Sequence, residues 1–143
     1  MQIFSLDQAS AIVDAALAHA RAQDCHPMTV AVLDAGGHLL ALKREDNSGI
    51  LRPQIAQAKA WGALGMGHGG RTLAERAAIA PAFYAALTDI SGGRIAPVPG
   101  GVLVRNAQGD VIGAVGISGD HPDKDEACAI HGIGSVGLHA DVN

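Results

Sequence analysis

The stretch TVAVLDAGGHLLALKR, residues 29–44, decides how this chain folds. Two apolar runs flank a Gly-Gly pair, which is the pattern typical of a β-hairpin. We therefore predict strands over 29–34 and 38–44, joined by a two-residue turn at Gly36 and Gly37. Apolar residues are almost continuous along both runs, which indicates that both faces of the hairpin are at least partly covered.

A second hairpin is predicted further along the chain. The runs VLVR, residues 102–105, and VIGAVGIS, residues 111–118, lie on either side of the polar segment NAQGD at 106–110. Short apolar runs separated by a glycine-containing polar segment favour antiparallel pairing. Two hairpins of this kind predict an antiparallel sheet.

Helical segments surround the two hairpins. Ser5 and Gln8 have the spacing of a capping box and predict the start of a first helix. Thr72 is predicted as the N-cap of a later helix, with Glu75 at its third position. The predicted helices are 6–23, 50–64, 72–87 with a kink or break at Pro81, and 124–138. The order α-ββ-αα-ββ-α predicts an α+β fold, with helices packed against an antiparallel sheet.

The composition narrows the class of protein. The chain has 143 residues, 48% of them hydrophobic and 17% charged, which fits one ordered domain over 1–143 rather than a disordered segment. Aromatic residues make up 3%, so the core is expected to consist of Ala, Val, Leu and Ile. The net charge of −4 and the lack of a basic run argue against nucleic-acid binding.

Two further expectations concern location. No apolar stretch approaches the roughly 20 residues that span a bilayer, so no membrane association is expected. The first residues lack the pattern of an export signal, and the chain has two cysteines. Both features favour a reducing, cytoplasmic environment.

Five motifs resemble those of the GlcG/HbpS-like family, also called the haem-degrading-domain family. They follow one another along nearly the whole chain: VLDAGGHL at 32–39, RED at 44–46, IAQAKA at 55–60, PGGV at 99–102, and GAVGISG at 113–119 with Asp125 and Glu126 after it. The resemblance implies a profilin-like antiparallel sheet flanked by helices, usually assembled into dimers or larger homo-oligomers. It also implies a small-molecule ligand, with haem as a possible cofactor. Members are associated with haem binding, with a domain fused to corrinoid adenosyltransferases, and with small-acid catabolism.

Three positions depart from the family pattern. Glu45 stands where a methionine is usual, and Leu103 stands where a proline is common. Trp61 and Gly62 replace the small residue and threonine that commonly follow Lys-Ala. The changes at 45 and 61–62 lie beside the expected pocket, so the ligand of this chain can differ from that of other family members.

The glycine-rich turns are the first candidate site. Glycine lets the backbone approach a ligand closely and leaves N–H groups free to hold an anion. Pro99, Gly100 and Gly101 are predicted to bind a ligand in this way, together with Ser118 in the GISG turn. The alternative is that these glycines serve tight turns and close packing only. For Gly36 and Gly37 the hairpin turn is the preferred explanation.

Arg44 and Lys59 are the charged pair predicted to hold an anion. Arg52 lies seven residues before Lys59 and therefore almost on the same helix face. A guanidinium beside an ammonium suits a carboxylate or a haem propionate. The alternative is a salt bridge from Arg44 to Asp34, Glu45 or Asp46, and Asp34 is itself a candidate ligand-binding residue.

Two histidines are candidate metal or acid–base residues. His68 lies in the segment GMGHGG at 65–70, which is too glycine-rich to stay helical, and could ligate haem iron or transfer a proton. His131 lies one helical turn after Cys128, so the two could share a metal ion. A surface connection at His68 and a buried, unreactive Cys128 explain the same residues equally well.

The residues leave three functions open. The first is a protein that binds haem or a small anionic ligand through Arg44, Lys59 and the Pro99 turn. The second is an enzyme of small-acid or aromatic catabolism, in which Lys59 or His68 moves a proton while Arg44 holds the substrate. The third is a structural or regulatory partner subunit.

Overall fold

The computed structural model describes residues 3–143, which form five helices and one antiparallel sheet. In chain order the elements are α1 (Leu6–Ala22), β1 (Thr29–Asp34), β2 (Leu39–Arg44), α2 (Arg52–Met66), α3 (Gly70–Ile79), α4 (Pro81–Ile90), β3 (Gly101–Arg105), β4 (Val111–Ser118), α5 (Pro122–Ser135) and β5 (His139–Asp141). The strand order is β2-β1-β4-β3-β5, with neighbours antiparallel. The predicted α+β fold is confirmed.

The two predicted hairpins pair with each other through β1 and β4, which leaves β2 at one edge of the sheet, but the first turn is longer than predicted. The backbone N–H of Asp34 donates to the carbonyl of His38 at 2.9 Å, and the N–H of Gly37 donates to the carbonyl of Asp34 at 3.0 Å. Three residues therefore form the loop, and the prediction of a two-residue turn is wrong. Gly37 has a φ of 83°, which glycine adopts without steric cost.

Local sequence signals determine where some helices begin or end, and tertiary contacts determine the others. The capping box at Ser5 and Gln8 is confirmed, as is the break at Pro81, which separates α3 from α4. Thr72 is not an N-cap, because α3 begins at Gly70 after the N-cap Gly69. A tertiary contact explains this start, since the N–H of Gly69 donates to the carbonyl of Asn143 at 3.0 Å.

The C-terminal end of the chain also differs from the prediction. Helix α5 ends at Ser135, three residues before the predicted end, and Gly137 has a φ of 77°. The chain then forms β5, which pairs with β3 at the edge of the sheet. This strand has three residues, which is too short for an alternating pattern to show in the sequence.

The sheet has a different layer on each face. Helices α1 and α5 cover one face, where their apolar residues pack with the side chains of Val30, Val32, Val115 and others in one core. Helix α2 covers the other face, where Ala60 and Ala63 pack against Leu33, Leu103 and Ala114. None of the helices within residues 3–143 has the length and apolar character that a bilayer crossing requires.

Helix α2 lies unusually close to the sheet because β3 and β4 present glycines to it. A Cβ atom on Gly116 would lie 1.8 Å from the carbonyl oxygen of Ala56, and one on Gly101 would lie 2.3 Å from that of Lys59. Both neighbours are backbone atoms of α2, which cannot move without moving the helix. The two glycines therefore set the distance between helix and sheet.

We predict that Gly116→Ala destabilises the protein by about 3 kcal/mol, because the added methyl group overlaps the backbone of α2. Gly134→Ala is the matched control, since Gly134 lies in α5 and a Cβ atom there would meet nothing within 4 Å. The control is expected to stabilise the protein slightly, through the better helix propensity of alanine. Urea unfolding measures both variants, and equal stabilities would contradict the packing argument.

Candidate functional site

Lys59 is enclosed where α2, β4 and α5 meet. Its Nζ atom donates to the carbonyl oxygen of Ile117 at 2.9 Å and to Oδ2 of Asp125 at 3.1 Å. The side chains of Lys59 and Asp125 are 4% and 1% exposed. Because α2 and α5 lie on opposite faces of the sheet, this ion pair joins the two layers at the end of β4.

Burial shifts the pKa values of both Lys59 and Asp125. It lowers the pKa of Lys59, while the carboxylate of Asp125 opposes that effect. Burial also raises the pKa of Asp125, against the charge of Lys59 and hydrogen bonds from the backbone N–H groups of Asp120 and Gly119. The net pKa shifts disfavour the charged forms of both groups. The ion pair therefore depends on the contact between its two members to offset the cost of burying their charges.

The Pro99 turn lies over Lys59. A Cβ atom on Gly100 would come within 2.8 Å of the Nζ atom of Lys59, and the carbonyl of Gly100 accepts a hydrogen bond from the N–H of Ile117 at 3.0 Å. The close packing of these glycines is therefore explained by the lysine beneath them. Their predicted role in ligand binding stays a prediction.

Arg44 and Arg52 hold the segment between β2 and α2 against the end of the sheet. Arg44 donates to the carbonyl oxygen of Ser48 at 2.7 Å, and Arg52 donates to Oγ of Ser118 at 3.0 Å. The Oγ atom of Ser48 lies 2.9 Å from that of Thr29. Within residues 3–143 neither arginine pairs with a carboxylate, so the alternative of an Arg44 salt bridge is not observed.

Asp34 has its hydrogen-bonding capacity occupied by the hairpin turn. Its Oδ1 atom accepts from the backbone N–H groups of Gly36 and His38, each at 2.9 Å, and lies 3.1 Å from Nδ1 of His38. Although burial raises the pKa of Asp34, these bonds and the imidazole lower it overall. The carboxylate serves to fix the turn.

The two candidate histidines lie outside this cluster, one after α2 and one on α5, and these helices cover opposite faces of the sheet. His68 follows the C-terminal end of α2, near Asp141 in β5. The 15 residues of α2 place it roughly 20 Å from Arg52 at the other end. His131 is exposed on α5 and stacks on His19, with ring centroids 4.2 Å apart.

The predicted pocket of Arg44, Lys59, the Pro99 turn and His68 is therefore not formed as one cavity. Arg44 and His68 lie at opposite ends of α2, and Lys59 is enclosed between them. Among residues 3–143, no group of three or more His, Cys, Asp or Glu side chains could hold a metal ion. The predicted metal roles of His68 and His131 thus have no supporting cluster in this part of the chain.

Arg44 lines an open cavity of about 550 Å³ together with Lys43, Glu45 and Asp46. Another open cavity lies on the outer flank of α2. It has a volume of about 420 Å³. Its lining consists of Leu33, Gly37, Gln54, Gln57, Ala58, Trp61, Gly92, Gly93 and Arg94. The wall thus combines one indole ring, two amide side chains and one cation, contributed by α2, the first hairpin turn and the loop before β3. We refer to it as the Trp61–Arg94 cavity.

Arg94 is exposed to solvent at the edge of this cavity and has no carboxylate partner among residues 3–143. Its guanidinium carbon lies 4.1 Å from the ring centroid of Trp61, and its Nε atom donates to the carbonyl oxygen of Ser91 at 2.7 Å. Within residues 3–143 no carboxylate pairs with Arg94, and its terminal nitrogens have no hydrogen-bond partner. A guanidinium with free donors can receive a carboxylate.

Sequence reasoning missed most of this cavity. Gln54, Gln57, Ala58 and Trp61 follow the i, i+3, i+4, i+7 spacing of one helix face, which the sequence contains. Of these residues, Trp61 is the one that the departure from the family pattern places beside the expected pocket. Arg94 gave no such signal, because only the fold brings the loop before β3 to α2.

Comparison with known proteins identifies this α+β domain. The family model described as haem degrading protein HbpS-like matches residues 4–134. A comparison with curated proteins gave no match. The chain therefore belongs to the HbpS-like family, and the resemblance seen in the motifs is confirmed.

Solved structures support the same assignment. A double mutant of HbpS from Streptomyces reticuli is 30% identical, with a TM-score of 0.83 over 96% of this chain and 89% of that chain. Protein ORFY of Klebsiella pneumoniae is 25% identical, with a TM-score of 0.85 over 96% and 92% of the two chains. The haem complex of PduOC is 24% identical and shares the fold, with a TM-score of 0.87 over 98% and 99%.

We predict that Lys59→Met destabilises the protein by about 3 to 5 kcal/mol, because it leaves the buried carboxylate of Asp125 without its partner. The double variant Lys59→Met with Asp125→Leu is expected to be more stable than the sum of the single effects. Urea unfolding of the four proteins in this cycle measures the coupling. Additive effects would show that the two groups do not interact.

Proposed function

We propose that this protein binds haem, or a closely related planar tetrapyrrole with carboxylate groups, in the Trp61–Arg94 cavity. The observation that carries the proposal is the guanidinium of Arg94, which lies on the indole ring of Trp61 with its terminal nitrogens available to a ligand. Membership of a family described as haem-degrading supports the choice of haem within the class of planar anions. Haem binding by the PduOC neighbour is consistent with it.

The charge arrangement favours an anionic ligand at this place. The chain carries a net charge of −4, so it has more carboxylates than cationic side chains. The lack of a carboxylate partner at Arg94 is therefore not explained by a shortage of carboxylates. Arg94 already satisfies its Nε donor within the protein, which leaves the terminal nitrogens for a ligand. A propionate group, which is planar and doubly accepting, matches that pair of donors.

The shape of the cavity suits a flat ligand. Leu33, Ala58 and the ring of Trp61 offer apolar surface for a macrocycle, while Gln54 and Gln57 offer hydrogen bonds at its edge. The cavity is open and smaller than a whole porphyrin, so part of the ring would remain in solvent. The glycines at 92 and 93 add no side-chain bulk to the rim.

The lining residues fit the macrocycle and its carboxylates better than they fit its iron. None of the nine is a histidine, cysteine, methionine or tyrosine, the side chains that usually ligate haem iron. Bound haem would supply a redox-active iron here. The residues of this chain would orient the ring and hold a propionate, so the iron is expected to contribute little to affinity.

The proton-transfer alternative has weaker support. Lys59 is enclosed and paired with Asp125, so a substrate would have to open the packing of α2 to reach it. His68 lies beyond the far end of the same helix and cannot act on a molecule held by Arg44. A binding function is therefore the better account of the geometry.

We predict that haemin binds saturably and quenches the fluorescence of Trp61, which is the single tryptophan of the chain. Arg94→Gln should weaken binding about tenfold, the equivalent of roughly 1.4 kcal/mol, because one charge-assisted contact is lost. Iron-free protoporphyrin IX should bind with an affinity similar to that of haemin. Fluorescence and absorbance titrations measure all three.

Arg76→Gln is the control for this experiment. Arg76 is exposed on α3, has no carboxylate partner in the described chain, and lies outside the cavity. It undergoes the same change in charge and should leave the affinity unchanged. If both arginine variants lost the same affinity for haemin, the effect would come from net charge alone and not from a contact in the cavity. A lack of saturable haemin binding would overturn the proposal.

A further inference from the structure

We propose that Cys25 and Cys128 form a reversible intramolecular disulfide when the protein meets a hydroperoxide. They are the two cysteines of the chain, and both are free thiols in this structure. Cys25 lies between α1 and β1, and Cys128 lies in the middle of α5. This site is on the opposite side of the sheet from the Trp61–Arg94 cavity and is independent of the function proposed above.

The two thiols meet in the packed layer between α1 and α5. They belong to the same apolar core, and both residues line the same small cavity. The backbone at Cys25 is fixed, because its N–H donates to the carbonyl of Ala20 at 3.0 Å and its carbonyl accepts from Arg21 at 2.6 Å. Cys25 is thus held in place at the wall of the cavity that it shares with Cys128.

A small cavity leads from the surface to this thiol pair. Its volume is about 150 Å³. It is lined by His19, Gln23, Cys25, Lys124, Ala127 and Cys128. An opening of this size admits a small peroxide but not a protein reductant, which favours oxidation by a diffusible molecule.

The difference in solvent exposure between the two cysteines sets the order in which they react. Cys25 is 6% exposed and Cys128 is 1% exposed, so the peroxide reaches Cys25 first. Burial raises the pKa of Cys128 to about 12, with the nearby Cys25 and Asp125 adding to the shift. Cys128 therefore stays protonated at neutral pH, so it carries out the second step, the attack on the oxidised Cys25, only slowly.

The reaction balances with the peroxide as oxidant. The sulfur of Cys25 attacks one peroxide oxygen, the O–O bond breaks, and Cys25 becomes a sulfenic acid while water or an alcohol leaves. The sulfur of Cys128 then attacks the sulfur of Cys25, the S–S bond forms, and the hydroxyl leaves as water with the thiol proton. Two electrons pass from the thiols to the peroxide.

The bond would join the chain after α1 to the middle of α5 and close a loop of about 100 residues. Loops of that length restrict the unfolded chain strongly. Oxidation should therefore raise the thermal midpoint by about 10 °C, and a reductant should reverse the shift. A slow reaction is expected, because the raised pKa of Cys128 keeps its thiolate scarce.

The test treats the reduced, full-length protein with hydrogen peroxide and then alkylates the denatured product. Mass spectrometry is expected to find a loss of two hydrogen atoms, no alkylated cysteine and one crosslink between the peptides that hold residues 25 and 128. Thermal unfolding is expected to show the upward shift. Dithiothreitol should restore both alkylation sites and the original midpoint.

Cys25→Ala and Cys128→Ala are the matched variants, since each removes one thiol and keeps a small apolar side chain. Neither should gain stability on oxidation. The proposal is overturned if both thiols of the unmodified protein still alkylate after peroxide, if Cys25 gains two or three oxygen atoms without a crosslink, or if the crosslink joins two chains.

Discussion

The close approach of α2 to the sheet is the constraint on which the rest of the structure depends. Gly101 and Gly116 place no side chain at two points between the helix and the strands, and the backbone carbonyls of Lys59 and Ala56 occupy that space. Where the helix lies this close, small side chains fit best, and its inner face consists of alanine and glycine apart from Lys59. The position of every residue on α2 follows from that distance.

This packing sorts the residues of α2 into two roles. The inner face carries Lys59, whose long side chain passes the end of β4 and pairs with Asp125 in the layer beyond. The outer flank carries Gln54, Gln57 and Trp61, which face the loop before β3 and form a cavity with Arg94. One helix therefore provides both the ion pair that joins the layers and the wall of the candidate binding site.

The two faces of the sheet have different chemistry. The face under α2 ends in polar and charged groups, where Arg44 donates to a carbonyl oxygen of the segment between β2 and α2 and Arg52 donates to the hydroxyl of Ser118 at the end of β4. The face under α1 and α5 is an apolar core that contains both cysteines. A ligand cavity and a thiol pair can therefore act independently, because the full thickness of the sheet separates them.

The sequence by itself determined the sheet of two hairpins, the capping of α1, the break at Pro81 and the family, since each depends on local turn chemistry, periodicity or an ordered set of motifs. It did not reveal β5 or the start of α3 at Gly70, which depend on contacts with the C-terminal residues. The largest difference between the sequence prediction and the structure is the candidate site. Conspicuous charges and histidines pointed to Lys59 and His68, whereas only tertiary packing could enclose Lys59 and bring Arg94 to Trp61, since these contacts join residues distant in the chain.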